Sequence, residues 1–218
     1  MTKKDKVNNI LEKMEIKFGN PKCALKYSSP FELLVSVILS AQCTDIRVNI
    51  VTEQMFKLVN TPKGFAEMPL NKIEELIHST GFYKNKAKNI QLTSKIILEK
   101  FLGEVPNSME ELVSLPGVGR KTANVVRGEI WGLADGITVD THVKRLSNLI
   151  GLVNNDDPLK IELLLMKIVP KKKWIDFSHY LILQGRDVCI ARRPKCKICE
   201  ILDYCKYGES IKKKENFK

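Results

Sequence analysis

LPGVGRKTANVV, residues 115–126, sets a proline and two glycines among apolar residues, then places Arg120 beside Lys121 where a helix begins. A helix start is electropositive because its first N–H groups lack partners, so acidic or neutral residues are favoured there. Two adjacent cations repel that end of the dipole and each other. The arrangement calls for a negative partner, or for one cation to give up its proton. With the preceding MEELVS the stretch reads helix, tight turn, helix. Gly117-Val118-Gly119 removes two β-carbons where backbone can approach another molecule closely. The N–H groups of the turn and of the next helix's first turn then form a cradle for phosphate. Val118 packs back on the protein and keeps the turn rigid. A bare G-x-G also serves as a simple helix connector; the flanking Leu-Pro and Arg-Lys make the phosphate reading more specific.

The 218 residues suit one large domain or two small ones and allow a substantial core. Lys plus Arg outnumber Asp plus Glu by 36 to 25, a net charge of +11. That surplus fits either a solvated basic surface or a polyanion partner such as nucleic acid. The longest apolar run, LLVSVILSA (33–41), is too short to span a membrane. The N-terminus carries charges where a signal peptide needs an apolar segment. A cytoplasmic protein is expected, nucleoid-associated in a bacterial or archaeal cell, and its six Cys are not read as three disulfides.

Helical periodicity and caps recur along the chain, and strand signals are almost absent. Ser29, Pro30 and Glu32 open a helix that is apolar on nearly every face and therefore central. Residues 44–59 place Ile46, Ile50, Val51, Phe56 and Val59 on a second helix. Shorter or longer helical patterns follow at 71–79 and 84–103, and Gly103 stops the latter. Ser108 and Glu111 cap the helix before the opening stretch. Helices are expected from about Lys121 to Trp131, over 141–151, over 156–169 with Asp157 as cap, and over 172–189. A Cys-rich segment and a basic tail, IKKKENFK, complete the chain. Trp131, Trp174, Cys23 and Cys43 are read as core residues. His78, His142 and His179 receive no catalytic role.

Three further features carry chemistry. A Lys amine attacks carbon only when neutral. Arg120 and the helix start both disfavour a positive charge at Lys121, which is read either as a nucleophile or as one more phosphate-binding cation. In TVDTHVKRL, Asp140 precedes a helix and is its N-cap, a position that also allows a carboxylate to face a cleft. CIARRPKCKICEILDYC spaces Cys189, Cys196, Cys199 and Cys205 as C-x6-C-x2-C-x5-C. In a reducing compartment that pattern favours metal, and four thiolates suit either structural zinc or an iron–sulfur cluster.

LPGVGRKTA, VDTH and the four-Cys spacing, in this order, resemble the endonuclease III family of DNA glycosylase/AP lyases, a likeness running from about Pro30 to Tyr207. The resemblance implies an all-α, two-domain helix–hairpin–helix DNA glycosylase fold with a C-terminal [4Fe–4S] cluster loop. It places a six-helix domain ending in the hairpin at 24–135 and a discontinuous cluster domain at 1–23 and 136–218, with a cleft between them that Lys121 and Asp140 face. It makes Lys121 the nucleophile at the sugar C1′ of a damaged nucleotide and Asp140 the carboxylate that helps deprotonate it. It selects the [4Fe–4S] cluster for Cys189, Cys196, Cys199 and Cys205. Gly117, Val118, Gly119 and Arg120 become backbone-binding residues that position without reading sequence. Gln42 and Phe82 match the polar and apolar residues that enter the duplex when a base leaves the stack. The family's usual apolar residue is Leu, so Phe82 is a departure; otherwise Gln42 reads as a helix C-cap and Phe82 as core. Lys84, Lys86 and Lys88 suit nearby phosphates or form a solvated face. Arg192, Arg193 and Lys195 give the x6 loop a second backbone-binding surface, or a solvated one.

The expected activity is excision of damaged bases, oxidised pyrimidines by family expectation, followed by strand cleavage through β-elimination. The expected partner is double-stranded DNA with damaged bases or abasic sites, bound by a monomer, with no membrane. Two rivals differ at named residues. A non-catalytic iron–sulfur DNA-binding protein needs neither Lys121 nor Asp140, and a monofunctional glycosylase lacks the lysine.

Overall fold

The computed structural model describes residues 1–215, and among these the regular elements are helical. In chain order they are α1 (Lys3–Phe18), α2 (Pro30–Leu39), α3 (Asp45–Leu58), α4 (Pro62–Glu67), α5 (Leu70–Ile77), α6 (Tyr83–Phe101), α7 (Met109–Ser114), α8 (Arg120–Trp131), α9 (Thr141–Ile150), α10 (Pro158–Met166), α11 (Trp174–Asp187) and α12 (Lys206–Glu215). No described helix is long and apolar enough to cross a membrane. The chain divides into two compact units, one of Cys23–Leu133 and one of Met1–Lys22 with the chain from Ala134 onward.

The unit Cys23–Leu133 is built on α2. Ser29 caps the helix by accepting from the Glu32 N–H, and Pro30 fixes its first turn. Every residue from Phe31 to Leu39 is buried, including Glu32. The Glu32 carboxylate tolerates burial because it accepts from the backbone N–H and hydroxyl of Ser28 and from Asn60. The reciprocal half of the cap therefore goes to Ser28 rather than Ser29. Leu33, Leu34 and Leu39 are fully buried, and each contributes roughly 1.5–3 kcal/mol of hydrophobic stabilisation. Around α2 pack α3, α6 and α8.

Two sequence readings change here. On α3 the inward face is Val48, Val51, Thr52 and Met55, while Ile46 and Ile50 point to solvent. The error is one of phase: Ile46 and Ile50 stand four apart on the flank of the stripe that meets the core. The short α4, capped by Thr61 with Pro62 in its first turn, lies in a region too brief for periodicity to reveal.

The second unit packs α1 with α9 to α12. Val7, Ile10, Leu11 and Met14 of α1 join Val143, Leu146, Phe177, Tyr180 and Leu181 in one core. Lys3 and Lys6 donate to the carbonyls of Leu152 and Ile150, placing cations at the C-terminal end of α9, where the dipole favours them. Lys17 pairs with both Asp187 and Glu200 at 3.0 and 2.9 Å. A glycine lets α11 approach α9: a β-carbon on Gly185 would lie 2.6 Å from His142 Nδ1 and 3.2 Å from Arg145 Nη2. The basic tail begins inside α12, and its last three residues, 216–218, lie outside the described residues.

Candidate functional site

The hairpin joins α7 to α8. Gly117 has φ +78°, a left-handed conformation that side chains other than glycine's resist. A β-carbon there would also lie 2.9–3.2 Å from the Asn89 side chain on α6. Val118 is buried, and its N–H bonds back to the Leu115 carbonyl at 3.1 Å. Thr93 of α6 donates to the Pro116 carbonyl at 2.9 Å, and Arg127 of α8 reaches the Asn107 carbonyl at 2.7 Å. The turn is thus held from both sides, while its outer face stays open. Gly119 is the N-cap of α8 and has no side chain to accept from the first-turn N–H groups, and a β-carbon on it would meet nothing within 4 Å. Arg120 and Lys121 occupy the first two helical positions, and both side chains are exposed. An anion seated at these N–H groups would offset the charge that the two cations add to the helix start.

Two other exposed points in this unit have unusual backbone. Gln42, between α2 and α3, has φ +54° and is exposed; Phe82, the N-cap of α6, has φ +51° and is 65% exposed. Phe82 is therefore not a core residue. Nor is Gln42 the cap of α2: that role falls to Ser40, whose N–H and hydroxyl both engage the Val37 carbonyl. Of the three neighbouring lysines, Lys84 and Lys88 are exposed, but Lys86 is buried. Its ammonium donates to the carbonyls of Leu39 and Thr80, both at 2.8 Å, so it does not face phosphate. Burial pulls the Lys86 ammonium below the ordinary lysine range.

In the other unit, Asp140 is the N-cap of α9, its Oδ1 accepting from the Val143 N–H at 2.8 Å. Oδ2 takes no part in that bond. Cys189, Cys196, Cys199 and Cys205 all line one small cavity of about 20 Å³, walled by Leu146, Leu149, Ile150, Val188 and Ile201. Among the described residues no three His, Cys, Asp or Glu side chains gather closely enough to hold a single metal ion. The four cysteines share the lining of that one cavity, and four thiols in one place are the donor set that an iron–sulfur cluster takes. Burial pushes the Cys199 and Cys205 thiols up. Two side chains aim N–H groups at these sulfurs: Gln184 Nε2 at Cys199 (3.3 Å) and Arg145 Nη1 at Cys189 (3.5 Å). The x6 loop is closed by the Lys195 N–H on the Val188 carbonyl, which leaves Arg192 and Arg193 exposed on its outside.

Comparison with known proteins decides the family. Residues 35–171 match the model of the HhH-GPD superfamily base excision DNA repair protein. The Endonuclease III of Synechocystis sp. is 50% identical over 204 residues, 94% of this chain and 93% of that protein. The chain is also similar to the protein in a non-covalent Endonuclease III–DNA complex, with TM-score 0.91 and 42% identity over 98% of this chain and 100% of the other. A trapped Endonuclease III–DNA covalent intermediate gives TM-score 0.90 and 43% identity over 97% and 100%. The chain belongs to the endonuclease III family.

Several residues of this endonuclease III-family chain that shape the site were not visible in its sequence. Asn89 and Thr93 lie on a helix whose pattern shows only its apolar face, yet they seat the hairpin turn. Gln184 and Arg145 stand 15 and 44 residues from the sulfurs they address, and no local motif marks them. Lys86 sits in KNKAK, a run that reads as solvated.

The double constraint at Gly117 separates strain from crowding. Gly117→Ala is expected to weaken binding to undamaged duplex, with about 1–2 kcal/mol arising from the left-handed backbone alone. Adding Asn89→Ala relieves the crowding but not the strain, so affinity measured by fluorescence anisotropy should recover only in part. Full recovery in the double variant would mean that the backbone conformation does not matter.

Proposed function

We propose that this chain excises oxidised pyrimidines from duplex DNA and cleaves the strand at the resulting abasic site, with Lys121 as nucleophile. The observation that carries this reading is an exposed amine at the second position of the hairpin helix, beside a turn whose backbone N–H groups suit phosphate. Family membership supplies the reaction class, DNA glycosylase and AP lyase. Gly117, Val118, Gly119 and Arg120 hold the backbone, and Gln42 and Phe82 fill the space left by the extruded nucleotide. Lys121 Nζ, once deprotonated, bonds to the sugar C1′ as the bond from C1′ to the base breaks, and the base leaves with that electron pair. Opening of the sugar ring gives a Schiff base. Loss of a proton from C2′ then expels the 3′ phosphate, and water releases the lysine. Asp140 accepts the Lys121 proton and stabilises the positive charge that develops on the sugar. The two residues come from different units, which we read as two domains with chain boundaries at 23–24 and 135–136.

Cys189, Cys196, Cys199 and Cys205 would hold a [4Fe–4S] cluster. When bound, it supplies iron–thiolate bonds that tie the end of α11, the basic loop and the segment before α12 together. Arg192 and Arg193, carried on that loop, then meet backbone phosphates. The protein acts as a monomer in the compartment that contains the DNA, the cytoplasm of a bacterial cell.

Borohydride reduction should trap the wild-type protein on DNA bearing an abasic site. Lys121→Gln should bind the same DNA but give no trapped species and no strand cleavage. Asp140→Asn keeps the cap and should bind, with single-turnover rates lower by about 10²–10⁴-fold. Trapping of Lys121→Gln at the wild-type rate would assign the chemistry to another amine.

Iron and sulfide should be present in a 4:4 ratio in anaerobically purified protein, as the family's cluster requires. Cys199→Ser should lower the iron content and destabilise the C-terminal segment, because metal binding there is coupled to folding. Stoichiometric zinc in wild-type protein would overturn the assignment.

Affinity for undamaged duplex should fall steeply with salt, since each neutralised phosphate releases counterions. Replacing Arg192 and Arg193 by Ala should flatten the log–log slope by roughly 0.9 for each phosphate that the loop no longer neutralises. An unchanged slope would remove the loop from the binding surface.

A further inference from the structure

We propose that Lys86 is a positioning residue for duplex insertion: its buried ammonium clamps the segment carrying Gln42 to the segment carrying Phe82. The geometry is compact. Lys86 Nζ donates to the Leu39 carbonyl, three residues before Gln42, and to the Thr80 carbonyl, two residues before Phe82. Its backbone N–H bonds to the Phe82 carbonyl at 3.2 Å, so one residue grips both sides of Phe82. Gln42 and Phe82 are exposed, while the clamp between their loops is 5% exposed. Both are held at φ near +50°, a conformation that persists outside glycine only when the surroundings enforce it.

The chemistry suits a clamp. An ammonium has three donors and bonds two carbonyls without a carboxylate partner. The Leu39 carbonyl is at the C-terminal end of α2, where the helix dipole favours a cation. The lysine stem crosses from α6, so the spacing of the two insertion loops is set by one side chain rather than by loop backbone alone. α6 also carries Asn89 and Thr93 beneath the hairpin turn. The wedge residues and the phosphate cradle are therefore both indexed to one helix. Loosening Lys86 should disturb insertion while leaving the hairpin's hold on undamaged backbone intact.

The proposal rests on the insertion reading of Gln42 and Phe82, so the experiment separates the two. The probe is a duplex with a tetrahydrofuran abasic analogue opposite 2-aminopurine, whose fluorescence rises as the base unstacks. Fluorescence at saturating protein is measured alongside affinity for undamaged duplex and single-turnover base excision. Gln42→Ala and Phe82→Ala should lower the fluorescence; if neither does, insertion by these residues fails, and the positioning role falls with it. Given that loss, Lys86→Met should also lower the fluorescence and slow base excision by about 10–100-fold, as small misplacements do. Its affinity for undamaged duplex should stay at the wild-type value, and Lys86→Arg, which restores a cation with several donors, should recover much of the fluorescence. Wild-type fluorescence in Lys86→Met overturns the proposal while sparing the insertion reading. An equal loss of fluorescence and of undamaged-duplex affinity also overturns it, because Lys86 would then only support the fold. Where Lys86→Met does not fold, Lys86→Gln, with one amide donor for two carbonyls, is read by the same criteria.

Discussion

A helix buried on all sides has nowhere to send the carbonyls at its C-terminal end. α2 is in that position from Phe31 to Leu39, and water cannot serve its last turn as it serves a surface helix. The chain meets the need in two ways. Ser40 folds back on Ser36 and Val37, and Lys86 reaches in from α6 to the Leu39 carbonyl. The second solution has structural reach, because the same ammonium also holds Thr80. A demand created by hydrophobic burial thus brings two loops from distant parts of the sequence into register. Asn89 and Thr93, one and two turns further along α6, seat the hairpin. The central apolar helix and the helix beside it set the layout of the exposed groups in this unit.

The other unit solves a different problem with similar means. Cys189, Cys196, Cys199 and Cys205 line one apolar cavity, and burial pushes the Cys199 and Cys205 thiols up. Polar side chains reach two of these sulfurs from packed helices. Gln184 is fully buried on α11, and its side-chain oxygen faces Lys17 of α1 at 3.4 Å while its amide addresses Cys199. Arg145 is fixed by the Gly185 carbonyl and turns to Cys189. Absence of a β-carbon at Gly185 permits that approach, since any side chain there would strike His142. The N-terminal helix therefore reaches the surroundings of Cys199, and its buried face shares one core with α9 and α11, so the first 22 residues belong with the C-terminal part.

Legibility in the sequence followed the range of the interactions. The hairpin and the Asp140 cap are short motifs, readable because their physics is local, a turn and a first helical turn; the cysteine spacing is as local, and it brings the four residues to one cavity. The central helix was readable because an apolar run needs no partner to be recognised. Lys86, Asn89, Gln184 and Arg145 were not, since their partners are backbone carbonyls, a turn or sulfurs brought close only by folding. KNKAK shows the limit well. Lys84, Lys86 and Lys88 alternate in a basic run, and nothing local distinguishes the one that turns inward. Ile46 and Ile50 show the converse, apolar residues at helical spacing that the packing of α3 leaves in solvent.

Backbone strain offers an independent check on which exposed residues matter. Among the described residues, three other than glycine have positive φ: Gln42, Phe82 and Leu102. Leu102 has a local explanation. It ends α6 immediately before Gly103, and left-handed residues are common at helix C-termini. Gln42 and Phe82 have none of that kind. Phe82 begins a helix, where extended backbone is the rule, and Gln42 lies in a turn that glycine or asparagine would enter with less strain. A left-handed residue of this type costs roughly 1–2 kcal/mol, and a chain free to relax would shed it. Here each lies within three residues of a carbonyl held by Lys86, on loops whose tips carry one amide side chain and one aromatic ring in the open. On the insertion role proposed for Gln42 and Phe82, strain at two exposed tips beside one buried contact is what a pre-shaped surface requires.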